Sequence, residues 1–101
     1  MLLGGIEAGG TKFVCAVGDS AGTIMERITI PTTTPEETMP RVFAFFEKYE
    51  LNAIGVGSFG PIDVNIDSPT YGSITATPKL AWRDYPIVGE LKQRSEEHTS
   101  E

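Results

Sequence analysis

Residues 4–17, Gly4-Gly5-Ile6-Glu7-Ala8-Gly9-Gly10-Thr11-Lys12-Phe13-Val14-Cys15-Ala16-Val17, constrain this chain more than any other stretch. Two short apolar runs flank adjacent glycines, which predicts an antiparallel hairpin. The glycine pair predicts reversal at positive φ, with no Cβ to block a group approaching the backbone N–H donors. Glu7 stands just before the turn, and Thr11 and Lys12 follow it. Amides gathered at a bend, with a hydroxyl and a positive charge beside them, suit an anion. Glu7 suits a water of hydrated Mg²⁺, an ion that keeps several waters and needs few carboxylates. The inferred ligand is the tail of a nucleotide triphosphate. The spacing matches neither G-x-x-x-x-G-K-[ST] nor G-x-G-x-x-G, so the P-loop and the dinucleotide fingerprint are both excluded. Taken alone, the same residues also describe a plain hairpin with a solvent-facing glutamate.

A chain of 101 residues, 40% of them hydrophobic, fits one small domain or a piece of a larger one. No run approaches the roughly 18 apolar residues of a membrane span, and no basic segment leads into an apolar core at the start. Cytoplasmic residence and no membrane partner are the expectations. Cys15 is the sole cysteine, so it has no internal disulfide partner and reads as a small core residue. The net charge of −6 argues against binding nucleic acid through its phosphates. It leaves room for a nucleotide held locally by Lys12 and amides.

Along the chain, residues 1–8 and 12–18 form the hairpin strands. Asp19-Ser20-Ala21-Gly22 is a second turn, and residues 23–30 alternate well enough for a third strand that Pro31 ends. Thr34-Pro35-Glu36-Glu37 carries the marks of a helix start: an N-cap residue, proline at the first position and acids in the first turn. Met39, Val42, Phe43, Phe46 and Tyr49 recur at spacings of three and four, which predicts one buried face. Pro40 interrupts this pattern and argues for a start closer to itself. Residues 52–59 read as a buried strand beside the first, by way of the helix. A region rich in Gly, Pro, Ser and Thr follows to about Asp84, with a short strand expected at Tyr71-Gly72-Ser73-Ile74-Thr75. Residues 87–93 begin another helix.

Residues 94–101, Arg94-Ser95-Glu96-Glu97-His98-Thr99-Ser100-Glu101, contain no apolar side chain. They match, residue for residue, one reading frame of a widely used DNA sequencing adapter. We therefore exclude them from fold reasoning as an artefactual tail, and His98 with them.

Three blocks together carry a family resemblance. Gly5-Ile6-Glu7-Ala8-Gly9-Gly10-Thr11-Lys12-Phe13 resembles the first phosphate motif of the ROK sugar kinases, in the actin-like ATPase superfamily. The Glu-Ala version is similar to that of the fructokinase branch, where the general pattern has Asp in place of Glu7. Ile54-Gly55-Val56-Gly57-Ser58-Phe59-Gly60-Pro61-Ile62 resembles the strand and loop leading into the sugar pocket. Tyr71-Gly72-Ser73-Ile74-Thr75-Ala76-Thr77-Pro78-Lys79-Leu80-Ala81-Trp82 resembles the segment after it.

The resemblance implies an α/β fold: the N-terminal lobe of an actin-like ATPase (ribonuclease H-like) over residues 1–93, incomplete, with a mixed sheet in the order β-β-β-α-β. It implies ATP-dependent phosphorylation of a hexose, fructose to fructose 6-phosphate. Gly9, Gly10, Thr11 and Lys12 would bind ATP phosphates, Gly57, Gly60 and Pro61 would shape the sugar side, and Glu7 would hold Mg²⁺ through water. The family also implies a homodimer and a structural Zn²⁺, whose ligands are absent here. The family's catalytic aspartate lies in an Asp-Val-Asn-Ala-Ala segment that this chain lacks; Asp63, Asp67 and Asp84 are not in that motif. No catalytic residue is therefore assigned. Two other readings stand beside the kinase. One is the lobe of a sugar-responsive ROK transcription regulator, against which the acidic charge and the start directly in the first strand both count. The other is a stand-alone nucleotide- or sugar-binding module, which requires a closed core within 93 residues.

Overall fold

The structure, a computed structural model, describes residues 1–58, 62–75, 77 and 79–99, with 95–99 described as backbone. The chain forms two compact units, Met1–Ser58 and Phe59–Glu101.

In the first unit, strands β1 (Leu2–Ala8), β2 (Lys12–Asp19) and β3 (Ile24–Pro31) form an antiparallel meander, followed by helix α1 (Pro35–Glu47) and strand β4 (Ala53–Ser58). The sheet order is β3-β2-β1-β4, with β4 parallel to β1. A helical crossover is what a parallel return beside the first strand requires. Register Ile6↔Cys15 and Ala8↔Phe13 puts the buried positions of β1 and β2 on one face. Ile30, opposite Phe13, continues that face into β3. Met39, Val42, Phe45 and Phe46 of α1 complete the core. Each such side chain contributes about 1.5–3 kcal/mol on full burial. Pro31 closes β3 opposite Lys12; the neighbouring Thr32 N–H, not the missing proline N–H, makes the bond to Thr11 O.

Helix α1 begins at Pro35 and runs through Pro40. The start expected at Thr34-Pro35 is therefore the one found, and the shift towards Pro40 does not occur. Pro40 costs the helix the bond to the Glu36 carbonyl, and both residues are exposed, where water reaches that oxygen. Thr34 has the extended geometry of an N-cap, with no side-chain bond; its carbonyl accepts from Glu37 N and Thr38 N. The buried stripe also differs. Phe45, not Phe43, lies in the core, and Tyr49 is half-buried beyond the helix end. Tyr49 OH instead donates to Glu26, which Lys48 Nζ also reaches at 3.1 Å. Strand β4 alternates exposed and half-buried positions, so the fully buried strand expected there is corrected too. Among the described residues it pairs with β1 alone, at the edge of the sheet.

The second unit contains a short 3-10 turn, Leu80–Trp82, and helix α2 (Ile87–Thr99). The strand expected around Ile74 reduces to a single bridge, Ile62↔Ile74. Trp82, Ile74 and Ile87 are completely buried, with the Trp82 and Tyr85 rings edge-to-face at 5.4 Å. Gly72 has φ 82°, and a Cβ there would stand 2.7 Å from Val88 Cβ. Asp63 ties its own loop: its carboxylate accepts from Thr70 Oγ1 at 2.6 Å and Asn65 N at 2.9 Å. Hydrogen bonds from Ser68, Thr70 and Asn65, in that order, hold its carboxyl below the usual carboxylate value. These bonds give Asp63 a structural role in this unit.

Candidate phosphate-binding hairpin

Glycine-rich bends are floppy unless something fixes them, because glycine loses more conformational freedom on ordering than any other residue. Here the bend joining β1 to β2 is fixed from two sides. Gly9 N–H donates to Lys12 O at 2.9 Å, closing the hairpin. From the end of β3, Thr32 N–H donates to Thr11 O at 2.9 Å and Thr32 Oγ1 donates to Gly9 O at 2.8 Å. The positive φ expected at the glycine pair is not found; among the described residues the positive-φ glycines are Gly22 and Gly72. Gly9 is required for a different reason: a Cβ on it would lie 2.9 Å from Lys12 O.

In a trans peptide the N–H points opposite to the carbonyl before it. Fixing Gly9 O and Thr11 O towards Thr32 therefore aims the Gly10 and Lys12 N–H groups away from β3. Thr11 and Lys12 are exposed and Gly9 and Gly10 half-buried, so a hydroxyl donor and an ammonium stand at the mouth of the bend. An anion is the group such a set receives.

Glu7 is exposed and belongs to the sheet face opposite the buried one, at a register between Val14 and Gly57. A Cβ on Gly57 would meet only Ile6 O, at 3.9 Å. Among the described residues nothing else crowds β4 at Gly57, the position paired with Glu7. The pairing Ala8↔Ser58 brings the C-terminal ends of the parallel strands β1 and β4 together at the bend. Ligands of α/β sheets bind at that end of parallel strands.

The sequence-derived residues divide accordingly. Glu7, Gly9, Gly10, Thr11, Lys12 and Gly57 share one end of the sheet, while Gly60 and Pro61 lie outside the described residues. Lys79 is exposed and Trp82 is a core residue of the second unit. Cys15 is fully buried, and burial pushes its thiol up to about 11, which makes it inert. Among the described residues no three His, Cys, Asp or Glu side chains converge on a metal-sized site, so the residues present do not fit a zinc centre. One carboxylate on an open face does fit a water-mediated Mg²⁺. The residue that reading the sequence missed is Thr32. Its only signal was its place one step past Pro31, which becomes informative once the register Lys12↔Pro31 is known.

This hairpin, meander and crossover define the N-terminal lobe of an actin-like ATPase. The family model described as the ROK family matches residues 3–99, and the chain belongs to that family. Over 94 residues it is 57% identical to a fructokinase of Pediococcus pentosaceus, covering 93% of this chain and 33% of that protein. It is 56% identical over 94 residues to a fructokinase of Streptococcus mutans, covering 91% of this chain and 32% of the relative. The chain thus spans about a third of the length of these relatives. It superposes with a TM-score of 0.68 and 26% identity on a ROK family glucokinase from Streptomyces griseus, solved in complex with glucose and AMPPNP, covering 98% of this chain and 30% of that one.

Proposed function

We propose that this chain is the N-terminal lobe of an ATP-dependent fructokinase, which transfers the γ-phosphoryl group of ATP to a hexose hydroxyl and makes fructose 6-phosphate from fructose. The observation that carries the reading is the braced bend at the C-terminal ends of β1 and β4, in a chain more than half identical to two fructokinases. Phosphoryl transfer depends on positioning and charge neutralisation, with a base to take the hydroxyl proton. Gly10 and Thr11 orient the phosphates through their donors, Lys12 offsets their charge, and Gly9, whose N–H is taken by Lys12 O, shapes the bend instead of donating to phosphate. Glu7 holds Mg²⁺ through water, an ion that supplies further neutralisation when bound. Gly57, with Gly60 and Pro61, leaves room for the sugar to approach backbone. The base is not among residues 1–101, and residues 94–101 are translated adapter in this reading. The whole enzyme acts as a cytoplasmic homodimer.

The test is to carry the chain on through its genomic downstream codons, in place of residues 94–101, to the length of its relatives. The longer protein is expected to phosphorylate fructose in a coupled assay with MgATP, and the 101-residue chain to show no turnover. A longer protein that turns over no hexose, or a 101-residue chain that does so at a comparable rate, overturns the proposal.

A further inference from the structure

Thr32 lies 23 residues beyond the bend it touches. It reaches that bend with both its backbone and its side chain, and each bond falls on a different carbonyl, Gly9 O and Thr11 O. Its own freedom is removed from the helix side. Thr38 Oγ1 of α1 donates to Pro31 O at 3.1 Å and accepts from Thr33 N at 3.0 Å, pinning the residues on either side of Thr32. Thr38 is 1% exposed, so these bonds are shielded from exchange with water and hold their geometry. The line runs from the first turn of α1, through Pro31 and Thr33, to Thr32 and the Gly9 carbonyl.

We propose that Thr32 is a positioning residue for nucleotide: its hydroxyl fixes the Gly9–Gly10 peptide so that the Gly10 N–H faces the phosphate before ATP arrives. This rests on the phosphate reading of the bend and names what makes the bend competent. A donor already aimed at an anion costs no reorganisation at the moment of binding. Without the hydroxyl, the Gly9–Gly10 peptide samples other orientations, since neither residue has a Cβ to limit rotation. The Thr32 N–H to Thr11 O bond, being backbone, survives any substitution here except proline.

The experiment uses the relative-length protein with Thr32→Val and Thr32→Ser. Valine keeps the shape and deletes the donor; serine keeps the donor. The KM for ATP, the KM for fructose and the Kd of the ATP analogue AMPPNP are measured for each. T32V is expected to raise the ATP KM and the AMPPNP Kd by about fivefold, the scale of one net hydrogen bond, with the fructose KM unchanged. T32S is expected to lie within about twofold of wild type. A purely structural role would move both KM values or the melting temperature alone. The proposal is overturned if T32V binds AMPPNP as wild type does, if both KM values rise together, or if T32S behaves like T32V. If T32V fails to fold, T32S and Thr32→Ala decide through the AMPPNP Kd: equal affinity in those two variants overturns it. Wild-type protein that binds no AMPPNP overturns the phosphate reading itself, whereas wild-type binding unaffected by T32V overturns only the role of Thr32.

Discussion

Adding one methyl group to Gly9 and one to Gly89 should have opposite effects, and the structure gives the size of each. At Gly9 the new Cβ lies 2.9 Å from Lys12 O, a backbone atom that has no flexible side chain to give way. That oxygen also accepts the Gly9 N–H at 2.9 Å, so relieving the clash stretches the bond closing the hairpin. Overpacking of this kind costs about 1–3 kcal/mol and the weakened hydrogen bond about 1 kcal/mol, so Gly9→Ala should lose roughly 2–4 kcal/mol. At Gly89, exposed within α2, the new Cβ comes no closer than 3.8 Å to Pro86 Cβ. There alanine replaces the weaker helix former, and Gly89→Ala should gain about 0.5–1 kcal/mol. Urea denaturation of the relative-length protein, followed by circular dichroism, measures both. Two variants that shift the midpoint in the same direction, or G9A indistinguishable from wild type, would refute the geometric reasoning.

Gly72→Ala should destabilise the second unit by about 2–5 kcal/mol, from the left-handed backbone and the contact with Val88 together. Adding Val88→Gly, which removes the Cβ that the new methyl meets, should return the contact part only, read from a double-mutant cycle. The Cys15 thiol should resist Ellman's reagent at pH 8 in the native protein and react promptly in urea. Because burial raises it to about 11, its contribution to stability is complete below the unfolded thiol value near 9.0 and is lost as pH rises from there through about 11. Glu26 is held below the usual carboxylate value, first by the Tyr49 hydroxyl and then by Lys48. Its stabilisation is therefore present above the ordinary carboxylate value and lost as pH falls through the lowered one. Tyr49→Phe should move the Glu26 titration, followed by NMR, back upward.

The hairpin, the meander and the start of α1 were legible because each is written locally: adjacent glycines between apolar runs, a turn at Asp19, and Thr34-Pro35 with acids after it. The same locality explains the misses. The choice of Phe45 over Phe43 depends on how α1 rolls against the sheet, which a spacing of three or four does not fix. The apolar run of β4 reads as buried, yet among the described residues it pairs with β1 alone and alternates exposed with half-buried positions. At the candidate site, the donors of the bend could be read from residue type. The brace from Thr32 could not, because it joins residues 23 apart through a register that exists only in the folded sheet. Trp82 lies in one of the resembling segments, and its complete burial makes it core.

The central claim is that the Gly9-Gly10 bend with Thr11 and Lys12 receives the phosphates of ATP. Its most direct measurement is calorimetric titration of AMPPNP with Mg²⁺ into the relative-length protein and into its T11A/K12A variant. The account predicts binding by the wild type and a loss of at least about tenfold in the variant, the scale of one hydrogen bond to a charged group. Equal affinity of the two proteins would contradict it.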